Sequence, residues 1–173
     1  MGKLIVVSGE NNSGKSLFAE NLIAKHKGKL YYIATMIPKT EDNRNRIEKH
    51  KKQRENLAFT TMELPYTLSE INVEKDSAVL IEDISNLIAN NIFDKGVQSD
   101  EVLEDILKLT SKCSLVVAVT ISHLVSSDYE GETAMYINSL NKTNEELKNR
   151  ACISVIMENG NPVYEKGEEN DIF

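Results

Sequence analysis

Residues 9–16, GENNSGKS, place two glycines, a lysine and a serine directly after the apolar run LIVV. Their spacing matches the pattern GxxxxGK[ST], in which backbone N–H groups and the start of a helix converge on phosphate oxygens. In such a loop, Lys15 neutralises the β- and γ-phosphates of a nucleotide and the Ser16 hydroxyl ligates Mg²⁺. A glycine-rich turn without a ligand is the alternative, and the apolar run before the motif and the helical pattern after it argue against it. The residues expected to bind nucleotide are Gly9, Glu10, Asn11, Asn12, Ser13, Gly14, Lys15 and Ser16.

A phosphate-binding loop needs an acidic partner at the end of a neighbouring buried strand, where it helps to hold Mg²⁺. The run AVLIED supplies two candidates, Glu82 and Asp83. The pattern alone does not choose between them, and Asp83 also fits as the N-cap of the helix that follows. We select Glu82 for the metal and the nucleotide.

A second group of candidates lies in residues 41–55, which have helical propensity but are almost wholly polar. Such a helix must project from the core. Arg46, His50 and Arg54 recur every four residues and therefore share one stripe. Flanking cations disfavour the imidazolium, leaving a neutral ring that can act as a nucleophile, and they also attract phosphates. On periodicity alone, a solvated basic face is at least as good an interpretation.

The elements that position these residues follow from alternating patterns. Apolar runs such as LIVV, AVLI and LVVAV are typical of strands buried on both faces, so the sheet should be mainly parallel. We therefore predict a doubly wound α/β fold of the P-loop type with helices on both faces, forming a single domain over residues 1–166. An acidic tail, residues 167–173, is expected to be mobile. Helices are predicted at residues 15–26, 41–55, 84–93, 101–111 and 130–150.

Composition narrows the function further. The 173 residues carry a formal net charge of −7, which argues against sequence-independent binding to nucleic acid. No apolar stretch reaches the ~20 residues that span a bilayer, and the N-terminus lacks the features of a signal peptide, so we expect a cytoplasmic protein. Cys113 and Cys152 each open an apolar run and should be buried. Because His26, His50 and His123 are scattered, we expect no metal site made of protein ligands alone.

The segments YIATM and RIEKHKKQR are the most specific parts of a resemblance that extends to about Lys166. They resemble the bifunctional adenosylcobinamide kinase/adenosylcobinamide-phosphate guanylyltransferases of cobalamin biosynthesis, whose helix carries Arg-Ile-x-x-His and a later Arg. The resemblance implies phosphorylation of adenosylcobinamide with ATP or GTP, followed by transfer of GMP from GTP to that phosphate. It also implies that His50 is the nucleophile that takes GMP, with Lys15 as a second catalytic residue, and that the protein is a homotrimer.

The same resemblance assigns further residues. Thr35 matches the threonine after the second strand, FTTMELP places a nucleotide-contacting glutamate at Glu63, and the strand-end glutamate falls on Glu82. Asn144, a polar residue on an otherwise apolar helical face, also matches a family asparagine. Its alternative role is a buried cap for a backbone group. Outside the loop, the residues expected to bind nucleotide are Thr35, Arg46, Gln53, Arg54, Glu63 and Glu82, and those expected at Mg²⁺ are Ser16 and Glu82.

The chain also departs from the family pattern. Asn12 replaces the arginine that usually precedes the serine of the loop, and Ile-Ser-His-Leu at residues 121–124 replaces an Asn-Glu-Val-Gly motif. Two other functions therefore stay open. One is a different small-molecule P-loop kinase with the charged helix as its lid, and the other is a catalytically silent nucleotide-binding homologue.

Overall fold

The computed structural model describes residues 1–98, 100–122 and 124–173. Ser99 and His123 lie outside the described residues, and so does the expectation for His123. The strands are β1 (Lys3–Gly9), β2 (Leu30–Ala34), β3 (Phe59–Glu63), β4 (Ala78–Glu82), β5 (Leu115–Ile121), β6 (Ile153–Glu158) and β7 (Asn161–Lys166). The helices are α1 (Lys15–Ile23), α2 (Glu41–Gln53), α3 (Ile84–Ala89), α4 (Asp100–Lys112) and α5 (Gly131–Arg150), with a π-helical turn (Asn90–Asp94) and a 3₁₀ turn (Glu169–Asp171).

The strands form one sheet in the order β3-β2-β4-β5-β1-β6-β7. Every neighbouring pair is parallel except β6 and β7, which are antiparallel. The prediction of a mainly parallel α/β sheet is therefore confirmed. Because parallel strands end at the same edge, the ends of β1, β2 and β4 bring the loop at Gly9, Thr35 and Glu82 to one side of the sheet.

Both faces of the sheet are buried, as the consecutive apolar residues predict. Leu4 and Val6 of β1 pack into the core on one face, whereas Ile5 and Val7 pack into the core on the other. Among the described residues, no helix has both the length and the apolar character to cross a membrane.

Several local predictions differ from the structure, and helices α1 and α2 also end earlier than predicted, at Ile23 and Gln53. The helix predicted at residues 84–93 is α3 followed by the π-helical turn. Cys113 is buried as predicted, but Cys152 is exposed, because it precedes the first residue of β6 and lies outside the covered part of the sheet.

The acidic tail, expected to be mobile, packs against the domain instead. Ile172 is only 4% exposed and lies in the core beside Ile5 and Ile153. The ammonium of Lys3 donates hydrogen bonds to the carbonyl oxygens of Asp171 (2.6 Å) and Ile172 (2.9 Å). Burial of one isoleucine therefore holds this segment in place, which the acidic composition of the tail did not predict.

Candidate functional site

A cavity of about 270 Å³ lies at the carboxyl end of the sheet, between the glycine-rich loop and α2. Gly14 has φ +87°, a left-handed conformation that favours glycine, and α1 begins at the next residue. A Cβ on Gly9 would lie 2.4 Å from Ser13 Oγ, so the loop closes tightly over the end of β1. The lining residues include Asn11, Asn12, Ser13, Gly14, Lys15, Ser16, Arg46, His50, Gln53, Arg54, Glu82 and Asp83.

Lys15 is the cation of the loop. Its side chain is 7% exposed, and its Nζ donates a 3.0 Å hydrogen bond to the carbonyl oxygen of Glu10 within the same loop. A phosphate bound to the loop's N–H groups would therefore meet an ammonium group that is already held over the loop.

Glu82 and Asp83 have different environments. Ser16 Oγ donates a 2.6 Å hydrogen bond to Glu82 Oε1, and Glu82 Oε2 is buried without a hydrogen-bond partner among the described residues. Burial, followed by the neighbouring Asp83 carboxylate, raises the pKa of Glu82 to about 8. Asp83 instead caps α3, accepting hydrogen bonds from the Asn86 N–H (2.7 Å) and from Ser85 Oγ (2.6 Å).

This arrangement fits a nucleotide-bound Mg²⁺. An unpartnered buried carboxylate oxygen beside a hydroxyl offers the oxygen ligands that this ion prefers, and a cation would relieve the cost of ionising Glu82. Within the described residues, no cluster of three or more His, Cys, Asp or Glu side chains could hold a metal by itself. Nucleotide phosphates would have to supply the remaining ligands.

Thr35 is fully buried behind Glu82 rather than in the cavity wall. Its Oγ1 accepts a 2.8 Å hydrogen bond from the Asp83 N–H and lies 3.0 Å from the Glu82 carbonyl oxygen. The hydroxyl is thus used to fix the end of β4, and direct contact of Thr35 with nucleotide stays a prediction.

The polar helix α2 projects as predicted, with none of its residues buried. Thr40 caps it by accepting a 3.1 Å hydrogen bond from the Asn43 N–H. The stripe of Arg46, His50 and Arg54 faces the cavity. The three residues therefore line the same cavity as the phosphate-binding loop, although Arg46 is also exposed to solvent.

His50 is half-buried, and its Nδ1 has no hydrogen-bond partner among the described residues. Burial lowers the pKa of His50 most, and Arg46 and Arg54 lower it further. The sequence predicted that the pKa of His50 is lowered, and the direction agrees, but burial lowers this pKa more than the cations do. The lowered pKa favours the neutral form of the imidazole at neutral pH.

The C-terminal end of α2 is attached to the domain by two residues. Arg54, at the C-cap, is 8% exposed, and its guanidinium carbon lies 3.7 Å from the centroid of the Tyr32 ring. Gln53 Nε2 donates a 2.7 Å hydrogen bond to Oε2 of Glu20 on α1. The sequence did not single out Glu20, because its partner Gln53 comes from a different helix.

Gly9 and Glu10, at the start of the loop, do not line the cavity, and Glu63 and Asn144 lie outside it as well. Glu63, at the end of edge strand β3, lines a neighbouring open groove together with Phe59 and Arg54. Asn144 is buried, accepts a 2.7 Å hydrogen bond from Thr120 Oγ1 and donates one of 2.9 Å to the Ile121 carbonyl oxygen. Asn144 therefore ties α5 to the end of β5, as its alternative interpretation states.

Known structures share this fold at low sequence identity. A protein of Pyrococcus horikoshii OT3 aligns with a TM-score of 0.53 at 8% identity, over 99% of this chain and 89% of that one. A DnaB-like replicative helicase gives a TM-score of 0.52 at 9% identity, over 89% of this chain and 47% of that one. An ATPase from the type III secretion system of pathogenic bacteria gives 0.50 at 11%, over 90% and 51%. At these identities, the similarity concerns the fold alone.

Sequence comparison is more specific. No curated protein gives a significant match. The family described as cobinamide kinase / cobinamide phosphate guanyltransferase matches residues 5–164, which include most of β1, the glycine-rich loop, α2 and the end of β4. With most of its length matched, the chain belongs to this family of transferases.

Proposed function

We propose that this chain phosphorylates adenosylcobinamide and then transfers GMP from GTP to the product through a covalent GMP–His50 intermediate. The observation that carries the proposal is that His50 and the phosphate-binding loop line the same cavity. A nucleotide held by the loop would have its phosphates beside a half-buried imidazole whose pKa is lowered. Family membership supports the two reactions, and this geometry supports the histidine route.

In the kinase step, Lys15 and the loop N–H groups hold the β- and γ-phosphates of ATP or GTP, and the hydroxyl of the acceptor attacks the γ-phosphorus. The bond between that phosphorus and the β,γ-bridging oxygen breaks, ADP or GDP leaves, and the hydroxyl proton passes to solvent. Ser16 and Glu82 are the residues that would hold Mg²⁺, which neutralises charge on the phosphates when bound. Arg46 and Arg54 supply further positive charge on the α2 side of the cavity.

In the guanylyl-transfer step, the neutral His50 ring attacks the α-phosphorus of GTP. A P–N bond forms, and the bond between the α-phosphorus and the bridging oxygen breaks, releasing pyrophosphate. A phosphate oxygen of adenosylcobinamide phosphate then attacks the same phosphorus, the P–N bond breaks and the imidazole is regenerated. Arg46 and Arg54 oppose the charge that develops on the phosphate oxygens.

The test is incubation with Mg²⁺ and GTP labelled on the α-phosphate, followed by denaturation and measurement of protein-bound label. We expect wild-type protein to carry label that is lost in acid and survives alkali, as a P–N bond does. His50→Asn should carry none while still binding GTP. His26→Asn is the matched control, because His26 is hydrogen-bonded to Ser114, just before β5, and does not line the cavity.

Other results would indicate a different function. Phosphorylation without protein-bound label would indicate another small-molecule P-loop kinase, and nucleotide binding without either reaction would indicate a silent homologue. The homotrimer belongs to the same proposal and rests on the family resemblance, whereas the cytoplasmic location stays an expectation from the amino-acid sequence. Light scattering of the purified protein tests the trimer.

A further inference from the structure

We propose that Glu20 is a positioning residue for His50, because it holds the C-terminal end of α2 against the helix that begins at the phosphate-binding loop. The proposal rests on the proposed function, in which His50 takes GMP. It concerns a residue that neither the sequence motifs nor the reaction assigns.

Helix α2 is attached to the domain mainly by polar contacts at its C-terminal end. None of its residues is buried, so apolar packing does not fix its position. The polar contacts at its end are better defined, with Gln53 Nε2 2.7 Å from Glu20 Oε2 and the buried Arg54 guanidinium over the Tyr32 ring. Glu20 is fully buried, so it offers α2 a fixed acceptor rather than a solvent-exposed one.

The contact between α1 and α2 lies close to both the phosphate-binding loop and His50. Glu20 lies one turn after Ser16 on α1, and that helix starts at the loop itself. His50 lies one turn before Arg54, whose N–H donates a 3.2 Å hydrogen bond to the His50 carbonyl oxygen. The contact at Glu20 therefore joins the element that would hold the phosphates to the element that carries the nucleophile, one helical turn from each.

Burial of the Glu20 carboxyl group costs free energy of folding. Burial raises the pKa of Glu20, while the hydrogen bond from Gln53 and the charge of Arg54 lower it. Glu20 Oε1 has no hydrogen-bond partner among the described residues. A buried carboxyl group with only one of its oxygens hydrogen-bonded destabilises the fold. The role of Glu20 is therefore better explained by positioning of α2 than by a gain in stability.

The experiment compares wild type with Glu20→Gln, Gln53→Ala and the exposed control Glu48→Gln on α2. Glu20→Gln keeps the side-chain size and an oxygen that can accept from Gln53 but removes the charge facing Arg54, whereas Gln53→Ala removes the hydrogen bond itself. Each protein is measured for GTP affinity, for the rate of α-label incorporation, for melting temperature, and for amide hydrogen exchange over residues 46–54.

We expect Glu20→Gln and Gln53→Ala to slow label incorporation at saturating GTP by about tenfold or more, because misplacing a reacting group lowers the rate more than binding. GTP affinity of Glu20→Gln should stay within about threefold, since Glu20 does not line the cavity and the loop is untouched. Exchange over residues 46–54 should be faster in both variants without GTP. The double variant Glu20→Gln/Gln53→Glu, which restores a carboxylate and an amide in exchanged positions, should recover the rate to within about threefold of wild type. Glu48→Gln should match wild type in every measurement.

Wild-type labelling together with unchanged labelling in both single variants would overturn the role of Glu20 and leave the proposed function intact. If wild type never carries label, the proposed function fails, and hydrogen exchange alone decides whether Glu20 positions α2. Unchanged exchange would then overturn the proposal. A change in melting temperature without a change in labelling rate would also overturn it, since it would show a purely structural role.

Discussion

The Ser16 hydroxyl donates a 2.6 Å hydrogen bond to Oε1 of Glu82, which lies 66 positions later in the chain. The contact joins the first turn of α1 to the end of β4 and leaves Oε2 of Glu82 buried without a partner among the described residues. Both proposed Mg²⁺ ligands are thus adjacent before any nucleotide binds.

Glu82→Gln should impair the use of Mg²⁺ in turnover much more than it weakens nucleotide binding measured without metal, because the carboxylate acts through the ion. We expect the Mg²⁺ concentration at half-maximal rate to rise by about tenfold or more. Titration of the rate with Mg²⁺ at saturating nucleotide measures this. Wild-type Mg²⁺ dependence in the variant would remove Glu82 from the metal site.

The ligand-free protein should lose stability as the pH rises from about 4.5 to 8 through ionisation of Glu82. Burial raises the pKa of this group from its usual 4.5 to about 8, so between these values the folded protein holds a proton that the unfolded chain has released. The free energy of unfolding should fall by up to about 1.4 kcal/mol per pH unit from this group alone. Glu82→Gln should flatten the profile, and the exposed Glu48→Gln should not. Urea unfolding across the pH range measures both, and parallel profiles for wild type and Glu82→Gln would contradict this prediction.

Lys15→Ala should weaken nucleotide binding by about 100-fold or more while the fold is kept, because the ammonium group makes charge-assisted contacts to phosphate. Lys15 is buried in the loop, where its Nζ donates a hydrogen bond to the Glu10 carbonyl oxygen. Calorimetric titration with GTP and a thermal melt measure the two effects, and the exposed Lys27→Ala is the control. Unchanged affinity would contradict the assignment of the phosphate-binding loop.

Labelling of His50 should increase with pH until the ring is neutral, and the midpoint should lie below the usual 6.5 of a histidine, since burial, Arg46 and Arg54 all lower the pKa of His50. Arg46→Gln removes one of these cations, so it should move the midpoint to higher pH by a fraction of a unit or more. Initial labelling rates at saturating GTP between about pH 5 and 8 measure the shift. An unchanged midpoint in Arg46→Gln would show that Arg46 does not act on the ring.

Asn144→Ala should reduce the free energy of unfolding by about 1–3 kcal/mol, because it leaves the Ile121 carbonyl oxygen and the Thr120 hydroxyl without their buried partner. The exposed Asn138 on the same helix is the control, and its replacement by alanine should change stability by less than about 0.5 kcal/mol. Denaturant unfolding of the two variants separates the results. Equal stabilities would contradict a structural role for Asn144.

The sheet could be predicted from the sequence because its strands are runs of consecutive apolar residues, and the loop because its glycines have a fixed spacing. The orientation of α2 could not, because a polar helix carries no apolar stripe that says which side faces the protein. The contact of Gln53 with Glu20 and the stacking of Arg54 on Tyr32 could not be predicted either. Each joins residues that are far apart in sequence and meet only in the folded protein. Ile172 was missed because a single apolar residue in an acidic tail has no periodicity.

The sheet order also has a consequence for synthesis of the chain. Strand β1 is made first, but it pairs with β5 and β6, so Leu4 meets Val116 and Ile5 meets Ile153. Pairings this far apart in sequence form slowly, and until β5 has left the ribosome the apolar residues of β1 have no strand beside them. A nascent chain shorter than about 120 residues should therefore be a chaperone substrate that cannot yet recognise a nucleotide, because its phosphate-binding loop would follow a strand with no sheet to hold it.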